Sequence, residues 1–469
     1  MIDIDCLGRI SIVPFFQRTL MIHTRLAERE RQGKPFQIGV IGAGTFGSQI
    51  IAQTCRMQGL RIAAVLEVAP ERARRALHSG GVDPTRICEA NSANAIDQAI
   101  ASGCSAVTGN LNALLESGIE LIIEATGNPE FGAMHGHAAI SHRKHVVMVT
   151  VEADVIVGHI LKRQADRAGV MYSLAYGDEP ALAVELCDWA RTLGFRVIAA
   201  GKGTRFIPAF RKATPDDVPR LYGFSGTDYN AQVFCSFLDG TKHAIEMAAL
   251  ANSAGLAVDR RGMHFPAIDL RDLPDVLCHR RYGGILESEG VVEAISAMRA
   301  DETWVERHLR GGMFAVVEAP DNQAAESLST YGDIIGMVIG SQSRHILIYR
   351  PQHFVGHEVP IGVARMLLFQ DVVAAPVGHT CEVIAAAKRR LVPGTKLDGE
   401  GGYCVYGMVE NADVARRESL VPIGLTGGAE VIREIPEHGL ITFDNVQVRD
   451  SFALQLRAAE LPCPQVHDV

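Results

Sequence analysis

The hexapeptide Gly42-Ala43-Gly44-Thr45-Phe46-Gly47 follows the β-branched apolar run 38–41 and opens a helix-patterned stretch over 46–57. A GxGxxG in that setting constrains the fold more than any other part of the chain. Gly42 permits a tight turn out of a strand, Gly44 lets backbone approach a pyrophosphate, and Gly47 lets the helix pack on the strand. The phosphates would then face unpaired amides at the positive end of a helix. The cofactor-binding candidates are therefore Gly42, Gly44, Thr45, Phe46 and Gly47, and the expected ligand is NAD or NADP. A glycine-rich connector packing a helix on a sheet is the plainer alternative.

The pattern continues in register. Apolar runs at 62–66, 121–125, 146–150 and 170–174 alternate with helix-length segments at 130–141 and 154–168. This predicts βαβ units around a mostly parallel, doubly covered sheet. The expected class is α/β, with a Rossmann dinucleotide-binding domain over 37–175 preceded by a partly helical arm, 1–36. Beyond it, a helix over 180–193, a strand over 197–200, a polar loop over 202–220 and segments near 233–238, 245–250 and 314–318 predict a central α+β catalytic domain, 176–370. Its end, 350–370, returns towards the first domain. Asp239-Gly240 predicts a hairpin over 237–243. Short β-like runs broken by Pro-Gly and Gly-Gly predict a small β-rich module over 378–450.

Glu67 ends the second strand, 25 residues beyond Gly42. A carboxylate there accepts hydrogen bonds from an adenosine ribose and repels a 2′-phosphate, which favours NAD. A solvated strand end remains the alternative, and Arg72, Arg74 and Arg75 would suit NADP. Thr126 and Gly127 follow a later strand, placed either against the nicotinamide half or as a plain turn.

Composition narrows the classes. At 469 residues the chain is long enough for two or three domains. A formal charge of −9 leaves no general basic surface for nucleic acid. The closest of the ten cysteines are sixteen residues apart, so CxxC zinc and redox pairs are absent and reduced cytoplasmic thiols are expected. No apolar run approaches the roughly 18 residues of a membrane helix, and the start, Met1-Ile2-Asp3-Ile4-Asp5, is acidic where an export signal is basic. Zinc-protease spacing, a nucleophile elbow and a Walker loop are all missing from the sequence.

Hydride transfer needs an acid or base at the reacting oxygen and a positive partner for its developing charge. Lys202 lies between two glycines that would leave room for a substrate, where burial could lower its proton affinity; a structural ion pair is the alternative. Glu152, Asp178 and Glu179, with Asp154, follow expected strand ends and could orient Lys202, hold hydroxyls or bind a divalent cation such as magnesium or manganese. Before Pro180, Asp178 and Glu179 could equally be helix caps. Lys242, Asn252, His264 and Arg350 are substrate-binding candidates, with a turn position for His264 and an interdomain salt bridge for Arg350 as alternatives. No metal ligand set is assigned.

Glu124-Ala125-Thr126-Gly127 and His145-Val146-Val147-Met148-Val149-Thr150 resemble the homoserine-dehydrogenase-like oxidoreductases. Val151-Glu152-Ala153-Asp154, Tyr176-Gly177-Asp178-Glu179-Pro180, Gly201-Lys202-Gly203 and Ala213-Thr214-Pro215-Asp216-Asp217 resemble the subgroup bearing a C-terminal SAF module, best defined by the 1-deoxyxylulose 5-phosphate reductoisomerase-like enzymes. Glu382–Lys388, Leu391-Val392-Pro393-Gly394, Val421–Leu425 and Gly439–Asp444 are similar to the SAF (β-clip) module itself. The resemblance spans about 36–450. It implies an NAD(P)-dependent oxidoreductase of a small hydroxylated or phosphorylated carbonyl or alcohol, reduction coupled to isomerisation in isoprenoid synthesis, and a homodimer. Gly203-Thr204-Arg205-Phe206 and Glu67-Val68-Ala69 depart from the reductoisomerase-like pattern. Val151-Glu152 stands where homoserine dehydrogenases carry a lysine. A simple dehydrogenase of a sugar acid or related alcohol, and a nucleotide-binding redox sensor without turnover, are the other expectations.

Overall fold

A computed structural model describes residues 2–4, 10–12, 21–223 and 229–460. The chain is an α/β protein. Strands β1 (Ile2–Ile4) and β2 (Ile10–Ile12) pair with each other. The expected arm then supplies one helix, Ile22–Arg31.

Seven strands form an all-parallel sheet: β3 (Phe36–Ile41), β4 (Leu60–Leu66), β5 (Ile87–Glu89), β6 (Ser105–Thr108), β7 (Leu121–Glu124), β8 (His145–Met148) and β9 (Tyr172–Leu174). Their order is β5-β6-β4-β3-β7-β8-β9. The expected strands are present, and β5 and β6 are additions whose few residues carry no long apolar run. The chain leaves β3 on one side and returns to β7 on the other. The crevice beyond their carboxyl ends is therefore the switch point at which open α/β sheets bind ligands.

A second, six-stranded sheet contains β10 (Arg196–Thr204), β11 (Ala257–Val258), β12 (Val291–Ser296), β13 (Met313–Glu318), β14 (Val338–Ile339) and β15 (His345–Arg350), ordered β11-β12-β10-β13-β15-β14. It is mixed: β10 runs parallel to β12 and antiparallel to β13. The helix Val359–Phe369 then packs Val359, Val363 and Met366 into the core shared with Ile38 and Ile50.

The hairpin expected over 237–243 is instead a junction of two helices, Ala231–Leu238 and Thr241–Ala254. Gly240 takes φ +89°, and the Asp239 carboxylate accepts from the Thr241 amide at 2.8 Å, so a tight turn reverses helices rather than strands. The segments near 233–238 and 245–250 are accordingly helical, while 314–318 is a strand.

The C-terminal part is built on the antiparallel pair β16 (Cys381–Ala387) and β17 (Val405–Asn411), with a smaller pair, β18 (Glu430–Val431) and β19 (Val446–Gln447). It lies on the helix Thr241–Ala254, which is buried almost throughout. Every cysteine among the described residues is a free thiol, and no helix among them is long and apolar enough to cross a membrane.

Candidate active site

The glycine turn fits a dinucleotide. Gly42 has φ +95°, and a Cβ there would lie 2.8 Å from the Ala125 carbonyl oxygen at the end of β7. A Cβ on Gly47 would meet the Gly42 carbonyl at 2.2 Å, so both positions exclude any side chain. Gly44 differs: nothing lies within 4 Å of its would-be Cβ. It precedes the helix Thr45–Cys55, whose first turn has no side-chain cap. Open space before uncapped amides is what a diphosphate needs. Thr45 and Phe46 are exposed beside it.

Glu67 is buried rather than solvated. Its carboxylate accepts from the Ala43 amide at 2.7 Å and the Ala69 amide at 3.1 Å, clamping the glycine turn to the end of β4. Thr126 turns back to Glu124, its hydroxyl donating at 2.6 Å, and the Gly127 amide donates to the Thr150 hydroxyl at 2.9 Å. This ties the turns after β7 and β8 together.

The second cluster centres on Lys202, which is 3% exposed in the middle of the second sheet. Its ammonium donates to Glu179 at 2.7 Å, at the start of the helix Glu179–Thr192, and to Glu246 on the helix Thr241–Ala254. Burial pulls the lysine's proton affinity down, but the two carboxylates outweigh it and hold its pKa above the ordinary value. The expected lowering is therefore reversed: Lys202 is a fixed cation. The flanking glycines do not open space for a substrate either. A Cβ on Gly201 would lie 1.7 Å from the Glu293 carbonyl oxygen, and one on Gly203 2.0 Å from that of Leu309, so they allow backbone to close on backbone.

Asp178 occupies the cap position of its helix without making a side-chain cap. It is paired with Glu179: burial and the neighbouring negative charge push Asp178 upward, while Lys202 and the Asp178 hydrogen bond overcome burial to hold Glu179 below the carboxylate range. Within the pair, negative charge is therefore favoured on Glu179, beside the Lys202 ammonium. Lys242 forms an ion pair with Glu152, and the attraction of Glu152 and Glu246 overcomes burial to raise it. His243 is hydrogen-bonded to the Thr204 hydroxyl. Asp178, Glu179 and Glu246 are close enough to share a cation, and Lys202 supplies one.

Lys202, Glu152, Asp178, Glu179 and Lys242 thus come together, and four other candidates do not join them. Asn252 is buried, accepts from the amides of Thr380 at 2.8 Å and Cys381 at 2.9 Å and donates to the Cys381 carbonyl, so it fastens β16 to the helix. His264 is bound to Glu293 at 2.8 Å, in a turn where Met263 and Phe265 have positive φ. Arg350 donates to Glu358 at 2.6 Å, an ion pair within the central part rather than the interdomain bridge expected as the alternative. Asp154 is buried against the Tyr172 hydroxyl at 2.7 Å, its carboxyl tucked against Gly158.

Sequence reasoning missed three groups. Glu246 shares a helix with Lys242, four residues away, and the hairpin expectation set aside the common face that a helix gives them. His353 and Glu400 lie in loops with no periodicity to mark them. Burial and the nearby Glu152 raise Glu400 to about 8, which places this acid of the C-terminal part beside the Lys242–Glu152 pair. The stretch 353–358 connects the two halves: His353 lies by Glu179, while Gly356 and His357 meet Gln49 and Gln53 of the helix after the glycine turn.

Residues 177–359 match the family described as the catalytic domain of oxidoreductase DRL. No curated protein gives a significant match. Among solved structures, scyllo-inositol dehydrogenase from Lactobacillus casei with bound NAD(H) and scyllo-inositol is 12% identical over 73% of this chain and 92% of its own, with a TM-score of 0.37. A probable dehydrogenase from Thermotoga maritima is 13% identical over 73% and 91%, with a TM-score of 0.38. Both likenesses are slight. The matched catalytic domain, joined to a seven-stranded sheet with a glycine turn at its switch point, makes this chain an NAD(P)-dependent oxidoreductase.

Proposed function

We propose that the chain interconverts a small, polar hydroxylated alcohol and its carbonyl with NAD, by simple hydride transfer. The observation that carries this reading is the buried Lys202 ammonium held by Glu179 and Glu246. The bound nicotinamide would accept or deliver the hydride. The glycine turn would hold its diphosphate, and the clamped carboxylate of Glu67 would disfavour a 2′-phosphate. Lys202 remains charged and stabilises negative charge developing on the substrate oxygen, in surroundings where burial strengthens that attraction. The Asp178–Glu179 pair would exchange protons locally, and Lys242 with Glu152 would offer hydrogen bonds to further hydroxyls.

Coupled isomerisation is the less favoured reading. A divalent ion chelating two substrate oxygens between Asp178, Glu179 and Glu246 would have to displace the Lys202 ammonium. Hydride transfer alone needs no such exchange. The C-terminal part would serve as a wall of the site through Glu400.

Purified protein mixed with NAD or NADP and a panel of polyols, aldonates, ketose phosphates and amino alcohols tests this. Reduced nicotinamide should appear with at least one hydroxylated substrate, faster with NAD and without added metal. Tight nucleotide binding with no turnover on any member would favour the sensor reading instead.

A further inference from the structure

His353 lies outside every role assigned above. Its Nδ1 is 2.9 Å from the Gly311 carbonyl oxygen. A carbonyl only accepts, so Nδ1 carries the hydrogen, and in the neutral ring Nε2 holds the lone pair. That Nε2 is buried without a hydrogen-bond partner and points at Glu179, 3.8 Å from Oε2. The side chain is 6% exposed.

The carbonyl that sets this tautomer belongs to the same frame as Lys202. Gly311 has φ +77° and its amide donates to the Gly203 carbonyl, next to Lys202. A Cβ on Gly312 would lie 2.6 Å from the Arg350 carbonyl oxygen, so the turn is pressed against the strand leading to His353. Two acceptors facing each other at 3.8 Å repel unless a proton or a donor group settles beside both. A substrate hydroxyl is such a donor.

We propose that His353 is a catalytic residue whose Nε2 exchanges the proton of the substrate's reacting hydroxyl. This rests on the dehydrogenase reading. In the oxidation direction the O–H bond breaks and its proton passes to Nε2. The carbinol hydrogen would leave with the C–H electron pair as hydride to oxidised nicotinamide, and the C=O bond would form; reduction would return the same proton and hydride. Lys202, doubly paired, stays protonated throughout and is not the base. The group facing the ring is Glu179, at the start of its helix, with Lys202 from β10 behind it; Arg350, on the ring's own side, is committed to Glu358.

The test has two arms on the full-length protein. In substrate-free protein carrying nitrogen-15 histidine, long-range proton–nitrogen correlation shows which ring nitrogen bears the proton. The signal is assigned by its loss in His353→Gln or His353→Asn. Hydrogen on Nδ1 with Nε2 bare is expected, and hydrogen on Nε2, alone or together with Nδ1, overturns the proposal. With whichever panel substrate is active, His353→Gln should lower kcat at least about 100-fold, leave NADH affinity within about twofold, and abolish the acid limb of the kcat/KM profile for oxidation. A smaller loss with the limb retained overturns this proposal alone. An inactive wild type overturns it together with the dehydrogenase reading.

Discussion

Lys388, on the C-terminal part, places its ammonium 2.7 Å from the carboxylate of Asp239, in the turn between two helices of the central part, and both side chains are buried. The same ammonium donates to the carbonyls of Ala213 and Gly402 at 2.6 Å. Removing one member leaves a buried charge without a partner, which costs about 3–5 kcal/mol. Lys388→Met should therefore lower the midpoint of urea unfolding sharply, and adding Asp239→Asn should recover much of the loss. A single variant as stable as the parent would show the pair to be open to water.

Gly42 and Gly44 should respond differently to the same methyl group. Gly42→Ala meets both a positive φ and the Ala125 carbonyl, so stability falls along with binding. Gly44→Ala meets no protein atom, so the melting temperature should hold while NADH affinity, followed by fluorescence, drops at least about tenfold, or 1.4 kcal/mol. Unchanged affinity would place the diphosphate elsewhere.

Lys202→Met removes the cation from among Asp178, Glu179 and Glu246. Turnover should fall at least about 100-fold, with NADH binding nearly intact. The three carboxylates, freed of their internal partner, should then bind manganese, seen as a rise in melting temperature that the parent does not show. Near-parental kcat would take Lys202 out of the reaction.

Asp154 offers a pH signature. Burial, partly offset by the Tyr172 hydroxyl, raises its carboxyl from 3.8 to about 7. Folded protein thus holds a proton that the unfolded chain has already released. This contribution to stability is fully present below about pH 4, declines up to about pH 7 and is level above that. The span corresponds to on the order of 4 kcal/mol at 1.36 per unit. Asp154→Asn keeps an acceptor for Tyr172 and lacks the titration, so the variant should gain on the parent at pH 8 relative to pH 5. Parallel stability curves would refute this.

The dinucleotide half was legible because its signals are local. The Gly42, Gly44 and Gly47 spacing, the apolar runs of β3 and β4 and the Glu67 position all lie within one βαβ unit. The cluster around Lys202 was legible only in part. Lys202, Glu179 and Glu152 announce themselves beside turns and glycines, but their partners arrive from a helix, a loop and the C-terminal part through contacts that no periodicity encodes. The error at Asp239-Gly240 shows the limit: turn chemistry marks a reversal without saying whether helices or strands are reversed. Asn252 and His264 were polar residues in loop-like sequence, and tertiary packing turned both into fasteners.

The helix Thr241–Ala254 carries Lys242 and Glu246 and is covered by β16 and β17, which come more than a hundred residues later. Until that distant stretch has left the ribosome, the helix shows bare apolar surface to water, and the half-made chain is both inert and prone to clump. A premature stop between the end of that helix and residue 380 would thus yield a sticky fragment rather than a weak enzyme.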